Sequence, residues 1–218
     1  MRTRRSKPFW RRPWVLPMFA AAAAFLIYQL PPWIAFDPSA SRIPLKFDGH
    51  YWLIVGHVLF GSVALITMCL QLWPWLRRRY PVVHRTSGRI YVFAALPSAG
   101  FALAMTGVSY PAGKIGVTMS ATLWSIAAVM GFIRARQGRW REHRRWMLNS
   151  FAIMWGLVVW GFVIGMGWIW FSPWVEEVDF NYIAEASRWV GWVTNLIVLH
   201  WWLDRTRKRP VEVPARAR

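Results

Sequence analysis

The sequence predicts an all-α integral membrane protein with six transmembrane helices, both termini in the cytoplasm, and a four-helix core of spans two to five flanked by spans one and six. Three observations carry this reading. The 218-residue chain is 56% hydrophobic, with 18 Trp and 13 Phe, a content of the membrane class when gathered in long runs. Six such runs occur, at 14–34, 51–76, 90–108, 115–133, 146–171 and 189–203. Most approach the ~20 residues that a helix needs to cross about 30 Å of hydrocarbon, and helices are preferred because backbone groups in lipid must be satisfied within the segment. Finally, 23 of the 27 Lys and Arg fall in 1–14, 77–89, 134–145 and 205–218, whereas six of the nine acidic residues lie in the alternate connections. The positive-inside rule assigns the basic connections to the cytoplasm.

Residues 1–49 comprise a basic N-terminus, a first anchor and an outer loop. The anchor reads as retained rather than as a cleaved signal peptide, because its apolar run continues through 33–36 and only Pro38-Ser39-Ala40 resembles a cleavage site. Pro31-Pro32 breaks its outer end.

Residues 50–172 form the core, two helical hairpins that each carry a His-Arg motif. The linkers LRRRYPVVHRTSGR and RARQGRWREHRR both open with arginines and lead through His-Arg into the next apolar run, the pattern of a parallel pseudo-repeat. In span two, His50, His57, Gly61, Ala64, Met68 and Gln71 share one helical face, which should point inward. Tyr91, Ala95, Ser98, Ala102 and Met105 form a matching stripe in span three, where Pro97 marks a kink. Span five offers Ser150, Met154, Leu157, Gly161 and Gly165, the glycines spaced for close helix approach. Residues 173–204 hold an outer acidic loop and the sixth helix, and 205–218 a basic tail.

The charge of +18 points to nucleic acid in a soluble protein. Here its distribution is a topology signal and an attraction to anionic lipid at the cytoplasmic face, and no nucleic-acid partner is expected. The single cysteine, Cys69, lies in an apolar run and excludes a disulfide framework within the chain. No span carries Asp, Glu, Lys or Arg away from its ends, which counts against an ion-coupled transporter. Gly-x-Ser-x-Gly, zincin and phosphate-loop motifs are absent from the sequence.

Five histidines remain. His57 lies about two turns, roughly 10 Å, below the outer surface, with His50 above it at the interface. His84 and His143 stand at the cytoplasmic mouths of spans three and five, and His200 is near the cytoplasmic end of span six. His84, His143 and His200 converge on one layer if their helices are neighbours. Zinc wants a third ligand, and only Glu142 and Asp204 lie beside that layer. Haem b needs one or two axial imidazoles, an aromatic apolar pocket and cations for its propionates. The candidate iron ligands are His57, His84 and His143, with Arg85, Arg89, Arg144 and Arg145 for the propionates and Tyr91, Trp146 and Met147 as pocket residues. An outer site at His57 would need a partner such as Met105, Met119 or Met166. The plain alternative is that His84 and His143 bond neighbouring backbone, the arginines meet lipid phosphate, and His50 and His200 are interfacial.

The run YWLIVGHVLFGSVALITMCLQLWPWLRRRYPVVHRTSGRIYVF followed by EHRRWMLNSFA resembles the bacterial membrane family called domain of unknown function 2306. The family pattern falls on His57, His84, Arg85, Gly88, Arg89, Tyr91, His143, Arg144, Trp146, Met147 and Ser150, with Asn149 where family members often carry Arg. The resemblance implies a multi-pass protein of the bacterial cytoplasmic (inner) membrane and assigns no activity. The functional expectation is a b-type haem or quinone-interacting electron-transfer protein with a quinone or redox partner. The alternative is a non-enzymatic scaffold, lipid-binding accessory subunit or small-molecule permease.

Overall fold

The computed structural model describes residues 14–108, 113–160, 163–164, 167, 170 and 180–206, and among these residues it is helical with no strand. The helices are α1 (Val15–Gln29), α2 (Pro31–Ile34), α3 (His50–Leu72), α4 (Pro74–Arg79), α5 (Pro81–Thr106), α6 (Lys114–Arg136), α7 (Trp140–Trp155) and α8 (Phe180–Arg205), with a π-helical turn at Gly156–Trp160. Among the described residues, α3, α5 and α6 are long and apolar enough to cross a membrane, and α1 is a shorter apolar helix. The outer end of the fifth expected span lies partly outside the described residues, Gly161, Gly165 and Met166 among them.

Proline sets several boundaries. Pro31, Pro74 and Pro81 each stand in the first turn of a helix, where the missing N–H has no partner to lose. Trp73 and Tyr80, each preceding a proline, are turned out of helical geometry (ψ 105° and 72°), which separates α3, α4 and α5. The segment read from sequence as a basic linker is therefore mostly helix. His84 is the fourth residue of α5 and His143 the fourth residue of α7. Gly138 adopts φ +70°, a conformation natural to glycine, and makes the tight turn between α6 and α7.

Neighbours in sequence pack as neighbours in space: α3 on α5, α5 on α6, α6 on α7, and α7 on α8. The inward stripes read from sequence are buried, with Ala64, Met68, Tyr91, Ala95, Ser98 and Ser150 almost fully enclosed. The core reaches beyond four helices, since Met18 and Ala22 of α1 and Trp192 of α8 join the same cluster. α8 gets close because Gly156 and Gly191 face each other across the helix crossing. A Cβ on Gly156 would strike the Trp192 backbone, and one on Gly191 would strike the Gly156 carbonyl. The exterior is apolar: Phe93, Ile115 and Ile197 are 66%, 69% and 65% exposed on their helices, a surface suited to lipid.

Candidate functional site

The site is built on a hydrogen-bonded contact between α5 and α7. The Tyr91 hydroxyl lies 2.6 Å from Ser150 Oγ, and the Trp124 indole N–H donates to the same Tyr91 oxygen at 2.9 Å. The indole N–H only donates, so the Tyr91 oxygen accepts from Trp124, and either hydroxyl of the Tyr91–Ser150 pair can supply the proton between them. Phe151 packs edge-on against the Tyr91 ring at 5.0 Å. Three helices are thereby tied together at one buried level.

Seven residues before Tyr91 is His84, and seven before Ser150 is His143. Seven residues are close to two helical turns, so each histidine stands on the same face as its helix's pinned hydroxyl, about 10 Å toward the basic end. The two imidazoles consequently occupy one level, near enough for the charge of His143 to act on His84.

Their immediate bonding differs. The His143 Nδ1–H donates to the Gly131 carbonyl of α6 at 2.8 Å, and because a carbonyl only accepts, Nε2 carries the lone pair. Burial holds this imidazole toward its neutral form, with the Gly131 bond opposing. His84 Nδ1 is buried and makes no hydrogen bond. The His84 carbonyl accepts from Gln71 Nε2 at 2.7 Å, and Gln71 also bonds Ser87 Oγ at 2.6 Å. Gly88 leaves space for that side chain, since a Cβ there would stand 3.2 Å from Gln71 Oε1.

The cations at this level are not all those expected. Arg85, Arg89 and Arg145 are exposed, standing about 100°, about 140° and about 160° around their helices from the histidine of each motif. Arg144 is half-buried, its guanidinium 5.2 Å from the centre of the Trp202 ring of α8. Arg77 of α4, passed over in the sequence reading, is half-buried and acts electrostatically on both His84 and Arg144. Burial and the Arg77 charge pull the Arg144 guanidinium below its ordinary value. Trp146 is half-buried and Met147 buried in the core cluster.

The other histidines stand apart. His57 donates from Nδ1 to the Ser98 carbonyl at 2.9 Å, while the Ser98 hydroxyl donates to the His57 carbonyl at 3.0 Å. Met105 packs near this level with Tyr51 and Ile54, and Met119 is exposed. His200 Nε2 bonds Asn149 Oδ1 at 2.9 Å, so it pairs with Asn149 of α7 instead of joining His84 and His143. His50 Nδ1 accepts from the Lys46 backbone N–H at 3.3 Å. Among the described residues, no group of three or more His, Cys, Asp or Glu is placed to hold a metal ion.

Residues 54–203 match a family model described as a predicted membrane protein, DUF2306. The chain belongs to that family. The matched region of this DUF2306 protein runs from α3 into α8 and includes His57, both His-Arg motifs and the Tyr91–Ser150 contact. No curated protein and no solved structure matches the chain.

Proposed function

We propose that this DUF2306 protein is a six-span protein of the bacterial cytoplasmic membrane, with both termini inside, that holds a redox ligand at the level of His84 and His143. Haem b is the ligand whose needs these residues meet best. One observation carries the reading: the His143 Nδ1–H bond to Gly131 leaves Nε2 with its lone pair, beside a second imidazole whose Nδ1 is buried and unbonded. Anchoring one ring nitrogen on a backbone carbonyl is how axial histidines are commonly oriented. Arg144 and Arg77 supply cations at the same level for propionates. Haem, when bound, would supply one-electron chemistry; the chain's part is to orient the imidazoles and exclude water. A quinone is the second reading, favoured by the unbonded His84 Nδ1, which can donate to a quinone carbonyl.

The visible spectrum of detergent-purified protein, expressed with ample haem, tests this. A Soret band with reducible α and β bands that is lost in His143→Ala is the expected result. Colourless protein sinks the haem reading and leaves the quinone, which extraction and chromatography of bound lipids would detect.

A further inference from the structure

His84, Tyr91 and Ser98 follow one another on α5 at seven-residue steps, close to two turns each. Ser98 therefore lies about 10 Å beyond the Tyr91–Ser150 contact and about 21 Å from His84, toward the opposite end of the bundle. There α5 meets α3 through a reciprocal pair. His57 Nδ1 donates to the Ser98 carbonyl at 2.9 Å, and Ser98 Oγ donates to the His57 carbonyl at 3.0 Å. Ser98 is fully enclosed, and Gly61 makes the room for it, since a Cβ there would stand 3.1 Å from Ser98 Oγ.

This pair leaves one ring nitrogen over. A carbonyl only accepts, so Nδ1 carries the proton and Nε2 the lone pair, and Nε2 has no hydrogen bond among the described residues. His57 is half-buried, so its ring can be reached. It stands seven residues, about 10 Å, inside the end of α3, a helix long and apolar enough to cross a membrane. At that depth water does not supply the missing donor, and an ionisable side chain so placed is characteristically held for a ligand.

The surface beside it is aromatic. The Phe101 ring lies against Gly56, where a Cβ would come within 2.7 Å of it, and Phe60 stacks on Phe101 at 6.2 Å and 24°. Phe60 is exposed, which opens the pair to hydrocarbon. A ligand for Nε2 has to arrive through the membrane, bring a hydrogen-bond donor, and suit an aromatic wall. A lipid-soluble hydroquinone meets all three demands.

We propose that His57 Nε2 is the acceptor of a second ligand site, at the end of the bundle away from the His-Arg motifs, which takes a hydroxyl of a membrane hydroquinone. The site stands on His57 and Ser98 and does not depend on the redox reading at His84 and His143.

The test is binding of a decyl-chain benzohydroquinone to the full chain in phosphatidylcholine nanodiscs, under reducing conditions, read as the shift of the unfolding midpoint with ligand-to-lipid ratio. The response should saturate, and should be at least tenfold weaker for the dimethyl ether and for the oxidised quinone, which have no O–H to give. His57→Asn keeps an amide N–H near the place of Nδ1 for the Ser98 carbonyl and has nothing at Nε2, so it should weaken binding at least tenfold. Ser98→Ala retains the backbone carbonyl and should bind like the wild type. Equal affinity for the ether, unchanged binding in His57→Asn, or no saturable response in the wild-type chain overturns the site. If His57→Asn does not fold, the hydroquinone and its ether compared on the wild-type chain decide. Binding should also persist in His143→Ala. Loss there with His57→Asn unaffected moves the hydroquinone to the His84 level and overturns the proposal. A colourless protein that still binds it sinks haem and leaves this site standing, so the two readings fail separately.

Discussion

The Tyr91 hydroxyl of α5 hydrogen-bonds Ser150 Oγ of α7 at 2.6 Å, and this contact fixes where both His-Arg motifs stand. With the two hydroxyls pinned and each helix continuing two turns toward its basic end, His84 and His143 have to face a common level. Trp124 of α6 completes the arrangement by donating to the same oxygen.

Tyr91→Phe is therefore expected to destabilise the fold, because it leaves the Trp124 N–H and the Ser150 hydroxyl buried without their shared partner. The effect should be coupled: Tyr91→Phe and Ser150→Ala together should cost less than the sum of the two by on the order of 1 kcal/mol. A double-mutant cycle on reversible unfolding in mixed micelles measures it. Additive effects would show that the hydroxyls do not interact.

Much of this fold is legible in the sequence, because burial follows helical periodicity. The stripes through Ala64 and Met68 on α3 and through Tyr91, Ala95 and Ser98 on α5 are buried as their spacing requires. Both His-Arg motifs are visible for the same reason, as charge standing at the ends of apolar runs. What sequence obscures is direction and pairing. Arg85 and Arg89 are neighbours of His84 along the chain yet are exposed, while Arg77 acts on it electrostatically from another helix. The only signal for Arg77 is the pair Pro74 and Pro81, which reads as a broken loop but opens two helices. The pairing of Tyr91 with Ser150 across 59 residues leaves no local signature.

The crossing of α7 and α8 gives a second prediction. Gly156→Ala places a methyl against the Trp192 backbone, which cannot swing aside as a side chain could. The expected cost is about 1–3 kcal/mol, the range for overpacking a tight contact. It appears as a lower midpoint, with Gly100→Ala as the control, since a Cβ on Gly100 meets nothing within 4 Å. Equal midpoints in the two variants would mean that the helices part without loss.

Topology gives a third. The proposed six spans would place the tail beyond Arg205 and the α6–α7 turn on the same side as the N-terminus, and Gly113 on the other. Fusions of a reporter active only in the cytoplasm should work after residue 206 and in the turn at Gly138, and a periplasm-active reporter should work near Gly113. Opposite signals for Gly138 and the C-terminal fusion would require an odd number of crossings between them and overturn the assignment.

The protonation of His143 gives the fourth. Burial lowers its affinity for a proton below the ordinary value of 6.5, while the unfolded chain keeps that value. The unfolded state then binds the proton first, so the neutral imidazole's contribution is complete above about pH 6.5 and is lost as the pH falls below it. The unfolding midpoint of the wild-type chain should drop between about pH 7.5 and about pH 5.5, and the drop should shrink in His143→Gln, which cannot titrate. An equal slope in the two proteins would place the acid sensitivity on another group.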